Sequence, residues 1–117
     1  MDSILISIKK LLGLSEDYEE FDPDVITAIN TAFFALWQLG VGPKDQPFKI
    51  ESEEEVWTDF VEDGKIEMCK SYVGLQTRIL FDPPTNSFLV DAINEQLRQQ
   101  EFRMIVGMDE YAAKEEA

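Results

Sequence analysis

Histidine is absent from this 117-residue chain, and cysteine occurs once, at Cys69. A single thiol cannot close an internal disulfide, so a disulfide framework and a two-cysteine redox centre are both excluded. Without imidazole there is no histidine-based zinc site and no Ser-His or Cys-His nucleophile, which leaves carboxylates as the main enzymatic route. Positive charge is scarce as well: 10 Lys and Arg stand against 24 Asp and Glu, a formal charge of −14. Such a surface disfavours nonspecific attraction to DNA or anionic lipid, so a nucleic acid would be guided past it rather than gripped. Nor is there a long apolar run. The stretch 4–12 is too short to cross a bilayer and lacks the basic flank and small-residue cleavage site of a signal peptide, so the expected place is the cytosol, or an assembly built from there.

What is present is 44% hydrophobic residues in the length of one domain, enough for one small core. Ile4, Leu5, Ile8, Leu11 and Leu12 fall on one side of a short first helix, with Ser7 and Lys10 opposite and Gly13 at its end. An acidic linker follows over 16–21, in which Tyr18 and Phe21 are the residues able to pin it. Asp22 is placed to cap the second helix and Pro23 to open it. Val25, Ile26, Ile29, Ala32, Phe33, Leu36 and Trp37 then recur at helical spacing until Gly40 stops them. Phe34 and Ala35 make this helix apolar beyond its core stripe, the pattern of a central helix or of one that also faces another subunit.

Two glycines and two prolines make 40–51 an irregular loop, with a brief extended piece at Phe48-Lys49-Ile50. Ser52 and Glu55 have the spacing of a capping box, which would put Glu53, Glu54 and Glu55 in the first turn of a short third helix with Val56, Trp57 and Phe60 on its apolar side. A fourth helix carries Ile66, Cys69, Tyr72, Val73, Gln76, Ile79 and Leu80 as its stripe. Cys69 is there a small apolar filler, and Gly74 a point of close helix crossing. Pro83 and Pro84 impose a rigid break after Asp82. In the last helix Phe88, Leu89, Ala92, Ile93 and Leu97 point one way, while Asn94, Glu95, Arg98 and Gln99 point another. These readings add up to an all-α fold, a compact bundle of about five helices. The expected organisation is a single domain over 1–106, with an irregular loop at 40–51 and a break at 82–85, then a flexible acidic tail over 107–117.

The carboxylates group at Glu16, Asp17, Glu19 and Glu20, at Glu51 to Glu55, and at Asp59, Glu62 and Asp63. None matches a calcium-binding helix-loop-helix or a di-iron bundle, so solvated surface and helix-end stabilisation explain them, and no metal or cofactor is expected. Asp91 and Glu67 are the least easily dismissed as acid-base groups. Glu67 with Lys70 and Glu95 with Arg98 read instead as surface pairs, and no enzymatic activity is expected. The basic residues are scattered, and Lys9-Lys10 is the one adjacent pair. A DNA-reading helix could only be the fifth, through Asn94, Arg98, Gln99 and Arg103, against the opposing net charge.

One combination is more specific. A short first helix is followed by one closing in Gln38-Leu39-Gly40-Val41-Gly42, an acidic helix with Trp57 and Phe60, and then Tyr72-Val73 and Leu75, Arg78 and Leu80-Phe81-Asp82-Pro83-Pro84-Thr85 before a last amphipathic helix. This order, over about 1–106, resembles the head-tail connector (adaptor) family of tailed bacteriophages and prophages of Gram-positive hosts. The resemblance implies a virion structural subunit made in the host cytoplasm. It would form a ring, twelvefold when assembled, beneath the portal, extend the DNA channel, let DNA pass without specific binding, and receive the next neck or tail-completion protein. It implies no membrane contact and no catalytic residue. On that reading Phe34, Trp37, Arg98, Phe102 and Arg103 are candidate contacts with a neighbour or the portal. Gly40, Gly42, Asp82, Pro83 and Pro84 are turn and hinge positions, and Glu53, Glu54, Asp59 and Glu62 are candidates to line the channel. The rival reading is a small acidic phage-encoded protein that binds and regulates a host or phage protein.

Overall fold

The computed structural model describes the backbone of residues 3–116 and the side chains of residues 3–106. Five α-helices follow one another: α1 (Ile4–Leu11), α2 (Asp22–Gln38), α3 (Trp57–Phe60), α4 (Ile66–Phe81) and α5 (Ser87–Glu116), with a 3-10 turn at Asp63–Lys65 before α4. Among the described residues there is no strand, and the single β feature is an isolated antiparallel bridge between Ser3 and Val56. The all-α expectation holds.

The helix ends follow from local chemistry. Ser3 caps α1, its Oγ accepting from the Ile6 N–H at 3.4 Å. At the other end the Gly13 N–H donates to the Lys10 carbonyl at 3.1 Å and the Leu14 N–H to the Lys9 carbonyl at 2.9 Å. α2 closes in the same way, Gly40 donating to Trp37 at 3.0 Å and Val41 to Leu36 at 2.9 Å. Both are Schellman closures, and Gly13 and Gly40 supply the left-handed residue these require. The start of α2 departs from expectation: Asp22 is the first helical residue rather than the cap, and Phe21 in the cap position makes no side-chain bond. The Asp22 carboxylate instead lies 2.8 Å from the Lys9 ammonium, because a buried cation is a stronger partner than a neutral amide.

α4 packs against both α2 and α5, and α1 crosses α2 and α4. Ile8, Ile29, Phe33, Trp57, Tyr72 and Val73 are fully buried at the centre. A Cβ added at Gly74 would come within 2.8 Å of Leu11 Cδ1, so the close crossing expected there exists, between α1 and α4. Cys69 is buried as the expected filler, and burial pushes its thiol up to about 11. The far end of the α4 stripe is turned from its expected register: Thr77 is buried, whereas Leu80 is half-exposed.

Two elements differ more. Residues 51–56 do not form a first helical turn. The capping chemistry is present, with Glu55 accepting from the Glu51 N–H at 2.8 Å and the Ser52 N–H at 3.2 Å. The backbone here, however, serves the N-terminus: the Ile4 N–H donates to the Glu55 carbonyl at 3.0 Å, and Ser3 Oγ donates to the Glu53 carbonyl at 2.7 Å. Val56 is consequently extended, and only Trp57–Phe60 remains helical.

The second difference is α5. Its core seam is Ile93, Leu97, Gln100 and Met104, spaced by four, three and four residues; of the expected face, Ile93 and Leu97 are in it, whereas Phe88, Leu89 and Ala92 are exposed. Phe88 is 82% exposed. The helix carries the backbone to Glu116 without a break at 106, while the side chains of the expected tail and Ala117 lie outside the described residues. At 1.5 Å per residue its 30 residues span about 45 Å, close to the 49 Å longest dimension of the molecule. The radius of gyration, 14.6 Å, exceeds the roughly 13.4 Å of a spherical domain of this length.

Candidate functional site

The residues singled out from the sequence fall into three separate places. Phe34 and Trp37 lie together near the end of α2, ring centres 5.7 Å apart. The Trp37 indole N–H donates to the Lys44 carbonyl at 3.1 Å, tying this pair to the 40–51 loop. A shallow pocket of about 510 Å³ runs between Phe34, Pro43, Pro47 and Phe48. Asn30 pins the far end of the loop, donating to the Ile50 carbonyl at 3.0 Å and accepting from the Ile50 N–H at 2.8 Å. Sequence reading misses this pair of hydrogen bonds, whose one sign is a polar residue four beyond Ile26 and three before Phe33.

Arg98, Phe102 and Arg103 sit elsewhere, all exposed on α5. Arg98 pairs with Glu95 at 2.9 Å, as their spacing suggests. Because α4 lies between α2 and α5, the two sets of candidate contacts belong to unlike surfaces and not to one patch. The acidic candidates Glu53, Glu54, Asp59 and Glu62 are exposed along a third segment, 53–62. No group of three or more Cys, Asp or Glu among the described residues is arranged to hold a metal ion.

Besides its apolar seam, α5 is held to α4 by polar bonds. The buried Tyr72 hydroxyl donates to Glu101 Oε2 at 2.6 Å and accepts from the Gln76 amide at 3.0 Å. Gln100 Nε2 donates to Ser71 Oγ at 2.9 Å. Burial, and then the bond to Glu101, push the Tyr72 hydroxyl up to about 12 from its ordinary 10. Folded Tyr72 therefore holds its proton where the unfolded chain releases it, so its stabilisation is whole below pH 10 and is lost as pH rises toward 12. Cys69 behaves likewise from pH 9 to about 11. Denaturant midpoints measured across alkaline pH should thus begin to fall near pH 9 and continue to pH 12. Tyr72→Phe should remove the later part of that fall and cost about 1 kcal/mol at neutral pH. An unchanged profile in the variant would show that Tyr72 is not the group titrating.

A groove of about 720 Å³ opens where the linker and α2 meet the end of α4, lined by Leu14, Phe21, Thr27, Leu80 and Phe81 with Asp24 and Asp82 among them. Its wall depends on the linker. Tyr18 and Phe21 pin that segment as expected, in an edge-on chain with Phe81 at 5.5 and 5.6 Å. The larger anchor is Lys9, 2% exposed, whose ammonium donates to the Glu16 carbonyl at 3.1 Å and the Tyr18 carbonyl at 2.6 Å, besides pairing with Asp22. Two of its hydrogens are taken by these carbonyls, and the Asp22 carboxylate balances its charge. Asp82 and the two prolines do separate α4 from α5, and Asn86 then caps α5, its Oδ1 accepting from the Phe88 N–H at 2.8 Å.

No long apolar helix suited to crossing a membrane occurs among the described residues. The family model described as phage connector protein matches residues 4–111, which takes in α1 to α4 and most of α5 and runs past 1–106, the stretch that carries the resemblance. No curated protein and no solved structure matches the chain significantly.

Proposed function

The chain belongs to the phage connector protein family, and from that premise we propose that it is a head-tail connector subunit forming a ring beneath the portal. The match over 4–111 carries this reading. It is supported by two apolar surfaces on different elements, the Phe34–Trp37 patch on α2 and the outer side of α5. Closed rings are built from such unlike, head-to-tail contacts.

In this role the protein is a structural part of the virion neck, made in the host cytoplasm and twelvefold when assembled. The ring extends the DNA channel and presents its far side to a stopper or tail-completion protein. A channel lined by Glu53, Glu54, Asp59 and Glu62 repels the phosphate backbone, so DNA slides through without being held. The Gly40–Gly42 turn and the Asp82-Pro83-Pro84 break set the angles at which the two contact surfaces are presented.

Light scattering coupled to size exclusion, on the protein alone and after mixing with the portal ring encoded in the same genome, tests this. The expected result is a mass gain of many subunits per portal ring. A folded protein that stays small and leaves the portal mass unchanged would overturn the assignment in favour of a small interaction protein.

A further inference from the structure

Gln100 and Glu101, neighbours in sequence, reach α4 on opposite sides of the α4–α5 seam, Gln100 binding Ser71 and Glu101 binding Tyr72. The seam therefore has two edges, and each opens into a hollow. On the Ser71 edge a hollow of about 340 Å³ is lined by Lys70, Gly74, Leu75 and Arg78 of α4, with Leu11 of α1 and Glu67 beside Lys70. On the Tyr72 edge one of about 480 Å³ is lined by Gln76, Asp91, Asn94, Arg98 and Glu101. Arg103 follows Gln100 by three residues and so stands on the Ser71 edge.

Charge divides between these edges. Lys70 lies 3.9 Å from Glu67 on the first, and Arg98 pairs with Glu95 at 2.9 Å on the second, so each edge holds one internally neutral pair. Arg78 and Arg103 make no ion pair among the described residues, and neither do Asp91 and Glu101. Two guanidinium groups are thus left on one edge and two carboxylates on the other. Their spacings agree as well. The Ser71–Gln100 and Tyr72–Glu101 bonds set α4 antiparallel to α5 and bring Arg78 level with residues 93–95, so Arg103 stands about 12–15 Å further along the helix axis. Asp91 and Glu101 are ten residues apart, about 15 Å at 1.5 Å per residue.

Resting on the ring reading above, we propose that the Ser71 edge of one copy binds the Tyr72 edge of the next, with Arg78 facing Asp91 and Arg103 facing Glu101. Copies that each carry a charge of −14 repel one another, so a contact between them needs opposite charges where they touch. In this register neighbouring α5 helices run parallel, as rotation about a ring axis leaves them, displaced by about 3–6 Å along their length, which an arginine side chain spans. The two edges are different surfaces on opposite sides of one helix pair, so the contact repeats head to tail and is not self-paired.

Asp91→Arg and Arg78→Glu each reverse one edge. Added singly to the portal ring encoded in the same genome, each should lose the mass gain read by light scattering, because like charges then meet at every contact. An equal mixture of the two should recover it. The chains can alternate around a twelvefold ring, where each contact joins either the two parent residues or the two reversed ones, a rescue that arises only between copies. Asp91 and Arg103 are exposed and make no side-chain bond. Asp91→Arg and Arg103→Glu should therefore keep the monomer's thermal midpoint and still lose the mass gain, whether or not the half-buried Arg78 tolerates glutamate. A parental mass gain in either of these two variants would overturn the docking while leaving the ring. A mixture of folded Asp91→Arg and Arg78→Glu chains that gains no more mass than each alone would do the same. Absence of any mass gain in the parent chain would bring down the ring reading and this inference together.

Discussion

Replacing Lys9 with methionine should cost about 3 kcal/mol of folding stability, the lower end of what removing one partner from a buried ion pair costs. Methionine matches the length of the lysine stem, so the packing around the side chain is kept and the loss isolates the ammonium. What remains is the Asp22 carboxylate without its counter-ion and the Glu16 and Tyr18 carbonyls without their donor. The estimate sits low in its range because Asp22 is 22% exposed and can turn toward water. For a domain of this size the change corresponds to a thermal midpoint lowered by on the order of 10–15 °C, which calorimetry or circular dichroism would read. Lys9→Met combined with Asp22→Asn should recover part of the loss, since the orphaned charge is then gone. A midpoint within 2–3 °C of the parent, roughly the effect of an ordinary surface pair, would show that the clamp contributes little. Leu14 and Phe21 on the linker line the α2–α4 groove, so amide exchange over 14–21 should also accelerate.

That clamp also marks where sequence reasoning stops. Helical periodicity places α1, α2 and α4 and most of their buried faces, because each has a continuous apolar stripe at helical spacing and a marked stop. Lys9 follows the buried Leu5 by four residues and so lies in the stripe, but a lysine there has no visible partner until the chain folds the linker over it. The third helix was misplaced for a related reason. Ser52 and Glu55 make their expected bonds, yet the carbonyls of Glu53 and Glu55 are taken by Ser3 and Ile4, fifty residues away in sequence. In α5 the periodicity marks Ile93 and Leu97, which are core, but joins them to Phe88, Leu89 and Ala92, which are not, because the helix has two apolar rows and spacing alone cannot say which is buried. The molecule uses the row that lets Glu101 and Gln100 reach Tyr72 and Ser71. Phe88 and Phe102 are left outside, exposed to solvent. The part of the site that escaped the sequence is thus the part defined by contacts between elements distant along the chain.

The glycines offer the sharpest test of how the 40–51 loop is fixed. Gly42 has a φ of +89°, and a Cβ there would meet the Phe60 ring, with Cδ1 and Cζ at 3.0 Å and Cε1 closer still. The ring cannot withdraw, because Phe60 is buried with its centre 4.6 Å from Phe33 and 5.2 Å from Phe48. Gly42→Ala therefore combines left-handed strain of about 1–2 kcal/mol with an overpacking cost of about 1–3 kcal/mol, a total near 3 kcal/mol in equilibrium denaturation. Gly40→Ala separates the two contributions. It shares the left-handed backbone, at φ +84°, but its added Cβ meets nothing within 4 Å, so only the strain of about 1–2 kcal/mol should appear. Gly74→Ala gives a third outcome: the atom it approaches is the tip of Leu11, an exposed side chain free to turn aside, while alanine gains about 1 kcal/mol of helix propensity. Its net change should lie near zero. Equal losses at Gly40 and Gly42 would mean that the Phe60 contact yields easily, and that the loop is held instead by the Asn30 and Trp37 bonds to Ile50 and Lys44. A loss at Gly42 well above that at Gly40 would show that the aromatic cluster under the loop fixes it, and with it the position of the Phe34–Trp37 pair.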